Sequence, residues 1–204
     1  MGICYIVGAG DFFMNECPSS NDLVIAADGG ADSLLSAGVK FDLVIGDMDS
    51  VSRLPEGVER LVYPKDKDYT DTHLAYLEGV RRGYTEFVIY GGYGGREDHT
   101  YANYALLHLA RLEGHRVRLV GKRNTAEVIL NEKKGFSAKP GLHLSAFAIG
   151  GDAEGVSIRG LYYQAEDITL TPQFALAVSN VFVDADAEIE VKRGALLVIT
   201  ENEN

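Results

Sequence analysis

The stretch DLVIGDMDS, residues 42–50, carries the short apolar segment LVIG directly into two aspartates one residue apart, Asp47 and Asp49. A short apolar run without alternation is typical of a parallel strand that is buried on both faces. In an extended chain, side chains two residues apart point the same way. Two carboxylates roughly 5 Å apart repel by about 3 kcal/mol at an effective dielectric near 20. The sequence therefore predicts a strand that presents this pair to a cation.

The same kind of segment recurs through the first 123 residues. The apolar runs are ICYIV (3–7), LVIAA (23–27), LVIG (43–46), RLVY (60–63), FVIY (87–90) and VRLVG (117–121). Between them lie amphipathic segments with a helical period, such as THLAYLEGVRR (72–82) and HTYANYALLHLARLEG (99–114). This alternation predicts an N-terminal doubly wound α/β domain with a mostly parallel sheet, over residues 1–123.

Beyond residue 124 a period of two replaces the helical period. The segment AEIEVKRGALLVIT (187–200) alternates Glu188 and Glu190 with Ile189 and Val191, and glycines interrupt several similar runs. This pattern is typical of antiparallel strands joined by tight turns. We therefore expect a C-terminal all-β antiparallel sandwich domain over residues 124–204.

The composition excludes several classes of function. A net charge of −11 without a basic patch argues against binding to nucleic acid. The only cysteines, Cys4 and Cys17, lack a spacing suited to zinc or redox chemistry, which favours a cytoplasmic location. No apolar run approaches the ~20 residues of a membrane span, so we expect no membrane association.

Aspartates follow the predicted strands repeatedly. Asp28, Asp47 with Asp49, Asp71 and Asp98 all come after apolar segments. Ligands of parallel α/β sheets bind beyond the carboxyl ends of the strands, and clustered carboxylates select a hard ion such as magnesium. We predict metal ligation by Asp47, Asp49 and Asp71, with Asp28 beside them. Aspartate also forms turns and helix caps, and for Asp71 both interpretations stay open.

Cations and glycines accompany these acids. Lys65 and Lys67 lie in PKDKD, and Arg96 follows the glycine-rich run GGYGG (91–95), which contains Gly92. Glycines let main-chain amides approach phosphate oxygens, and the helix that begins near His99 offers its positive end. Together these groups predict a nucleoside triphosphate site. A GxxxxGK[ST] motif is absent, and GAGDFF (8–13) is interpreted as a tight turn.

Five motifs in order resemble the thiamine pyrophosphokinase family. They are ADGGAD (27–32), GDMDS (46–50), KDKDYTDTHLA (65–75), GGREDHTYAN (94–103) and SN (179–180). The resemblance spans nearly the whole chain. It implies an enzyme that transfers the pyrophosphoryl group of ATP to the hydroxyethyl oxygen of thiamine, with Mg²⁺ as cofactor and AMP and thiamine diphosphate as products. It also implies a homodimer with active sites at the subunit interface.

The resemblance implies roles for individual residues. Four aspartates would organise magnesium and the attacking hydroxyl, namely Asp28, Asp47, Asp49 and Asp71. On the nucleotide side it places Arg96, Asp98 and His99, and on the thiamine side it places Ser179 and Asn180. Where relatives often carry a Trp that stacks on thiamine, this chain reads GLYYQ (160–164). We assign stacking to Tyr163, with Tyr162 as the alternative.

Two other functions fit parts of the pattern. One is a pyrophosphokinase or nucleotide-dependent transferase that acts on another small alcohol, since the thiamine-side motif departs from the family at Val181 and lacks the Trp. The other is a non-catalytic nucleotide or metal sensor. Retention of the acidic residues counts against the sensor, because a sensor has no need of catalytic carboxylates.

Overall fold

The computed structural model describes residues 2–47 and 54–203 of the chain. Within it the chain forms two compact units. The first comprises residues 1–106 together with 114–121, and the second comprises residues 107–113 together with 122–204.

The first unit contains a six-stranded parallel sheet. Its elements are β1 (Cys4–Val7), β2 (Leu23–Ala27), α1 (Gly30–Ser36), β3 (Leu43–Gly46), β4 (Glu59–Val62), α2 (Asp71–Arg81), β5 (Glu86–Tyr90), the first part of α3 (Glu97–Leu112) and β6 (Arg116–Val120). The strand order is β4-β3-β2-β1-β5-β6, and every adjacent pair is parallel. The predicted N-terminal parallel α/β part is therefore confirmed.

The inner strands β1, β2 and β3 are buried because they are apolar along their whole length, whereas the edge strand β4 is mostly exposed, so the expectation of a strand buried on both faces at residues 60–63 is wrong. Every residue of β1, β2 and β3 is buried, as expected where helices cover both faces of a parallel sheet. Polar residues begin only where these strands end. The predicted acidic residues Asp28 and Asp47 accordingly follow the carboxyl ends of β2 and β3 directly.

The strand order reverses direction at β1. From β1 the chain moves outward through β2, β3 and β4 on one side, whereas β5 and β6 lie on the other side. Ligands of doubly wound sheets bind beyond the carboxyl ends of the strands, at such a switch point. The loop after β1 and the glycine-rich loop after β5 flank this point.

The second unit is antiparallel. Besides the end of α3 it contains β7 (Asn124–Leu130), β8 (Lys133–Phe136), β9 (His143–Arg159), β10 (Ala165–Leu170), β11 (Ala177–Val181), β12 (Ala187–Glu190) and β13 (Arg193–Glu201). The first half of β9 pairs with β13 and β11, and its second half pairs with β10 and β12. The long strand β9 thus serves two sheets, and the predicted antiparallel region is confirmed.

The alternating segment that begins at residue 187 has the alternating burial that its period of two predicts. Ile189 and Val191 are buried in the core of the second unit, whereas Glu188 and Glu190 are partly exposed. Within the described residues, every helix is too short or too polar to cross a bilayer.

Candidate active site

The ends of β2 and β3 bring two of the predicted aspartates close together. Asp28 follows β2, and its main-chain N–H donates to the carbonyl of Ile45 at 2.8 Å. A Cβ added to Gly46 would lie only 3.3 Å from the Cα of Asp28. Asp47, the next residue, therefore begins beside Asp28. Its expected companion Asp49 lies outside the described residues.

Asp28 has an unusual backbone conformation. Its φ of 49° lies in the left-handed region, which costs a non-glycine residue of order 1 kcal/mol or more. Its carbonyl accepts a hydrogen bond from the N–H of Ala31 at 3.2 Å, at the start of α1. Glycine would adopt this turn without strain.

Asp71 and Lys67 form an ion pair at the start of α2. Their side chains meet at 2.5 Å and are 26% and 15% exposed, respectively. Thr70 caps the helix by accepting a hydrogen bond from the N–H of His73 at 3.2 Å. The carboxylate of Asp71 is therefore not needed as the cap, and Lys67 balances its charge. Lys65, two residues earlier, is exposed.

Arg96 and Asp98 also pair, at the beginning of α3. The guanidinium approaches the carboxylate to 2.5 Å, and Asp98 Oδ1 additionally accepts from the main-chain N–H of His99 at 3.0 Å. These hydrogen bonds, the one from Arg96 above all, lower the pKa of Asp98 from its usual value. Both partners are largely exposed, as is His99, so all three are accessible to a ligand.

The expected cluster of metal ligands is incomplete within the described residues. Across 2–47 and 54–203, no three His, Cys, Asp or Glu side chains come together as a possible metal site. Magnesium needs only one or two carboxylates when substrate phosphates and water supply its remaining ligands. Asp28 and Asp47 are hard oxygen donors that start from adjacent strand ends, so they fit such an ion.

The loop after β1 is joined to the loop after β5 by hydrogen bonds. The N–H groups of Gly8, Gly10 and Asp11 donate to the carbonyls of Tyr90, Gly91 and Tyr93 at 2.7–2.8 Å. A Cβ on Gly10 would lie 2.1 Å from the carbonyl oxygen of Tyr93, so only glycine permits this approach. The sequence interpretation of GAGDFF as a tight turn missed its contact with the glycine-rich loop.

Asn103 is a second feature that sequence reasoning missed. It is buried on α3, and its amide donates to the carbonyl of Gly92 at 2.9 Å. The signal was present, because Asn103 shares the apolar stripe of the helix with Leu106, Leu107 and Ala110. A lone polar residue on such a stripe needs a partner.

In the second unit, the predicted thiamine-side residues form one hydrogen-bonded group. Asn180 is buried, and its side chain binds both main-chain groups of Tyr163 and the N–H of Val181. Ser179 has a φ of 56° at an irregularity in the pairing of β11 with β9. Its N–H donates to the hydroxyl of Ser145 at 3.0 Å. Bulges of this kind commonly redirect side chains near binding sites.

The surface beside this group is aromatic and apolar. Tyr162 and Tyr163 are 68% and 65% exposed, and their rings meet edge to face with centroids 4.9 Å apart. Three further exposed apolar side chains lie just before β11 or within it, namely Phe174, Leu176 and Val178. Exposed apolar side chains that lie together are typical of surfaces that bind ligands or partners.

The fold and these groups define an α/β protein with acidic side chains at a parallel-sheet edge, followed by an antiparallel β unit with exposed aromatic side chains. Two family models match the chain. The catalytic domain of thiamin pyrophosphokinase matches residues 14–119, and the vitamin B1 binding domain of the same enzyme matches residues 128–196. The chain belongs to the thiamin pyrophosphokinase family, which confirms the resemblance seen in the motifs.

Individual relatives agree with this assignment. A thiamine pyrophosphokinase of Bacillus subtilis (strain 168) is 26% identical over 184 residues, covering 87% of this chain and 86% of its own. A crystal structure of the thiamine pyrophosphokinase from Bacillus subtilis superposes with a TM-score of 0.86 at 22% identity, over 99% of this chain and 100% of the other. A thiamin pyrophosphokinase family protein from Enterococcus faecalis gives 0.84 at 25% identity, over 98% and 99% of the two chains.

Proposed function

We propose that this protein transfers the pyrophosphoryl group of ATP to thiamine, giving thiamine diphosphate and AMP. The observation that carries the proposal is that matches to the catalytic and vitamin B1 binding domains both lie on one chain. In the reaction, the hydroxyethyl oxygen of thiamine bonds to the β-phosphorus of ATP. The bond from that phosphorus to the oxygen bridging to the α-phosphate breaks, AMP leaves with that oxygen, and the hydroxyl proton passes to a base.

The acidic strand ends are the proposed centre of this chemistry. Magnesium, held by Asp47, Asp49 and Asp71, would supply positive charge to the polyphosphate, as hard cations do in phosphoryl transfer. Asp28 stands beside Asp47, and its strained backbone supports a role for its carboxylate. One of these four carboxylates orients the thiamine hydroxyl and accepts its proton.

The nucleotide side is assigned to cations and to the glycine-rich loop. Lys65, Lys67 and Arg96 would neutralise the charge that develops on the phosphates, since positioning and charge neutralisation account for most of phosphoryl-transfer catalysis. Lys67 and Arg96 each have a carboxylate partner, so polyphosphate would replace or share those partners. Gly92, Asp98 and His99 complete this side.

The thiamine side is assigned to the exposed aromatic surface of the second unit. The face of Tyr163 suits a cationic ring, and Ser179 is exposed where the pairing of β11 with β9 is irregular. The buried amide of Asn180 binds the main chain of Tyr163, so we assign it to holding this tyrosine in place.

The proposal also covers the oligomeric state of the protein and its location in the cell. We infer that the protein is a homodimer with active sites at the subunit interface, and the exposed side chains of Phe174, Leu176 and Val178 support a surface that a second copy covers. We also place the protein in the cytoplasm, since its buried Cys4 and exposed Cys17 are both free thiols.

A direct assay tests the proposed function. The purified full-length chain is incubated with ATP, Mg²⁺ and thiamine, and both AMP and thiamine diphosphate are quantified. We expect the two products to form in equal amounts. A panel of other primary alcohols replaces thiamine in parallel reactions. Binding of ATP without turnover of any alcohol would favour the sensor. Faster turnover of another alcohol would favour a different pyrophosphokinase, for which the absence of a Trp among the exposed aromatics is the supporting observation.

A further inference from the structure

Four consecutive carbonyls at the end of β5 are all held by hydrogen bonds. Those of Tyr90, Gly91 and Tyr93 accept main-chain N–H groups from the loop after β1. The carbonyl of Gly92 instead accepts from a side chain, the amide of Asn103, at 2.9 Å. Among these four carbonyls, that of Gly92 is therefore held by a side chain of α3, whereas the other three are held by the loop after β1.

The contact between Asn103 and Gly92 is closely packed. Asn103 is only 5% exposed. A Cβ added to Gly92 would lie 2.4 Å from Leu119 Cδ1 and 2.9 Å from Asn103 Nδ2. The glycine is therefore required for the loop to reach this amide. A buried amide and a glycine that match so closely hold the loop in one position relative to α3.

The hydrogen bond from Asn103 to the Gly92 carbonyl also fixes the direction of the N–H group of Tyr93. A trans peptide is planar, and its carbonyl and N–H point in opposite directions. The bond to the carbonyl of Gly92 therefore turns the N–H of Tyr93 away from Asn103. The same helix begins at Glu97 and bears Asp98 and His99 in its first turn. Asn103 thus links the orientation of the loop peptides to the helix end that carries the predicted nucleotide-side residues.

We propose that Asn103 is a positioning residue for the nucleotide site, which holds the Gly91–Gly95 loop so that its main-chain N–H groups face the polyphosphate of ATP. The inference rests on the proposed function for the identity of the ligand. Asn103 is buried against the loop carbonyl and does not itself contact ATP. Its loss weakens ATP binding by misdirecting the loop peptides and leaves thiamine binding unchanged.

The isosteric variant Asn103→Asp tests this role. At pH 8 an ionised carboxylate replaces the donor and repels the carbonyl of Gly92, so we expect KM for ATP to rise about tenfold, as for the loss of one buried hydrogen bond. KM for thiamine stays within twofold. Burial and the facing carbonyl raise the pKa of the new carboxyl. Toward pH 6 its protonated form donates again, and KM for ATP moves back toward the wild-type value. Asn103→Ala shows no such recovery.

A control variant separates positioning from general stability. Asn15 accepts a hydrogen bond of 2.9 Å from the hydroxyl of Tyr90, at the end of the same strand. Asn15→Ala removes a bond of similar length without touching the glycine-rich loop, and KM for ATP should stay within twofold. An equal rise in KM for Asn15→Ala and Asn103→Asp would overturn the proposal.

Two measurements do not depend on turnover. Calorimetric titration of the full-length chain with ATP and Mg²⁺ gives the Kd directly, so the inference is tested even if thiamine proves not to be the substrate. Hydrogen exchange on the wild-type protein needs no variant to fold, and ATP should slow exchange of the amides of residues 91–95. Unchanged exchange there, or wild-type Kd in both Asn103 variants, would refute the positioning role.

Discussion

The side chain of Asn180 binds both main-chain groups of Tyr163. Its Oδ1 accepts from the N–H of Tyr163 at 2.9 Å, and its Nδ2 donates to the carbonyl at 2.7 Å. Because Asn180 is only 4% exposed, an exposed aromatic ring is anchored to a buried amide. Buried amides with satisfied hydrogen bonds are rigid, so the main chain of Tyr163, from which its exposed ring projects, is held in place.

The first prediction concerns Asn180→Asp. The substitution keeps the acceptors but replaces the donor to the Tyr163 carbonyl with an ionised oxygen, which should release the loop that carries the tyrosine. We expect KM for thiamine to rise about tenfold, with KM for ATP unchanged. Steady-state kinetics with each substrate varied in turn measure this.

Asn131→Ala is the matched control for that variant. Asn131 lies in the turn after β7, and its Oδ1 accepts from the N–H of Gly194 at 2.8 Å. Its loss should lower the melting temperature without changing either KM. If Asn180→Asp shifted both KM values equally, a specific role on the thiamine side would be wrong.

The second prediction separates the roles of the neighbouring exposed tyrosines Tyr162 and Tyr163. If Tyr163 stacks on thiamine, Tyr163→Ala should weaken thiamine binding by about 1–2 kcal/mol, roughly tenfold in Kd. Tyr163→Trp should bind at least as tightly as the wild type, because indole has the stronger cation–π interaction. Calorimetry or fluorescence titration with thiamine measures both. The Tyr162→Ala variant decides the assignment, since a larger loss there would move the stacking role to Tyr162.

The third prediction uses the left-handed backbone of Asp28. Asp28→Gly should abolish most turnover, by a hundredfold or more if its carboxylate organises the site. The same change relieves strain of about 1 kcal/mol at φ 49°, so the melting temperature should stay level or rise. A loss of activity without loss of stability is the expected signature of a strained functional residue.

Asp167→Gly provides the comparison for Asp28→Gly. Asp167 has a φ of 54°, and its exposed carboxylate pairs with Lys192 at 2.7 Å. Both variants remove an aspartate from a left-handed position, but only Asp28 lies at a strand end of the catalytic-domain match. Turnover by Asp167→Gly should equal that of the wild type. Full activity of Asp28→Gly would remove Asp28 from the site.

The fourth prediction compares the two ends of β3. Asp47 follows the strand, whereas Asp42 precedes it and accepts a hydrogen bond from the N–H of Val24 at 2.9 Å. Asp47→Asn should reduce turnover at least a hundredfold with little change in melting temperature. Asp42→Asn should lower the melting temperature and leave the kinetics intact. Turnover and thermal unfolding of both variants are measured side by side, and near-normal turnover of Asp47→Asn would exclude the metal role.

The sequence predicted those parts of the molecule that depend on local pattern. The strands β1, β2 and β3 are apolar throughout, so their burial and parallel pairing could be expected. Contacts between loops that are distant in the sequence could not be predicted. The bond from Asn103 to Gly92, and the approach of Gly10 to the carbonyl of Tyr93, depend on which strands become neighbours, which composition and periodicity do not specify.

The pairing of acidic with basic residues could also not be predicted from the sequence. Lys67 and Asp71 were both predicted as ligand-binding residues, yet they bind each other at 2.5 Å. Lys67 lies in the loop before α2, so this pair is not a contact between two turns of one helix that the spacing could have predicted. The buried amide of Asn180 was likewise predicted as a thiamine contact, although its hydrogen bonds go to the main chain. In both cases the sequence singled out the residue but did not predict the partner that it has in the structure.

The fifth prediction concerns acid stability and Glu78. Glu78 is a charged residue on α2 that is only 6% exposed. Its carboxylate accepts hydrogen bonds of 2.6–2.7 Å from Arg81 and Arg82. These hydrogen bonds, the one from Arg81 first, lower its pKa. The stabilisation is therefore complete above the unfolded-state pKa of about 4.3 and is lost as the pH falls through the lower folded-state pKa. Glu78→Gln should cost about 1–3 kcal/mol of unfolding free energy at pH 7. That difference from the wild type should shrink as the pH falls below about 4, as measured by urea unfolding across pH. A difference that stayed constant down to pH 2 would mean that the ionised carboxylate does not stabilise the fold.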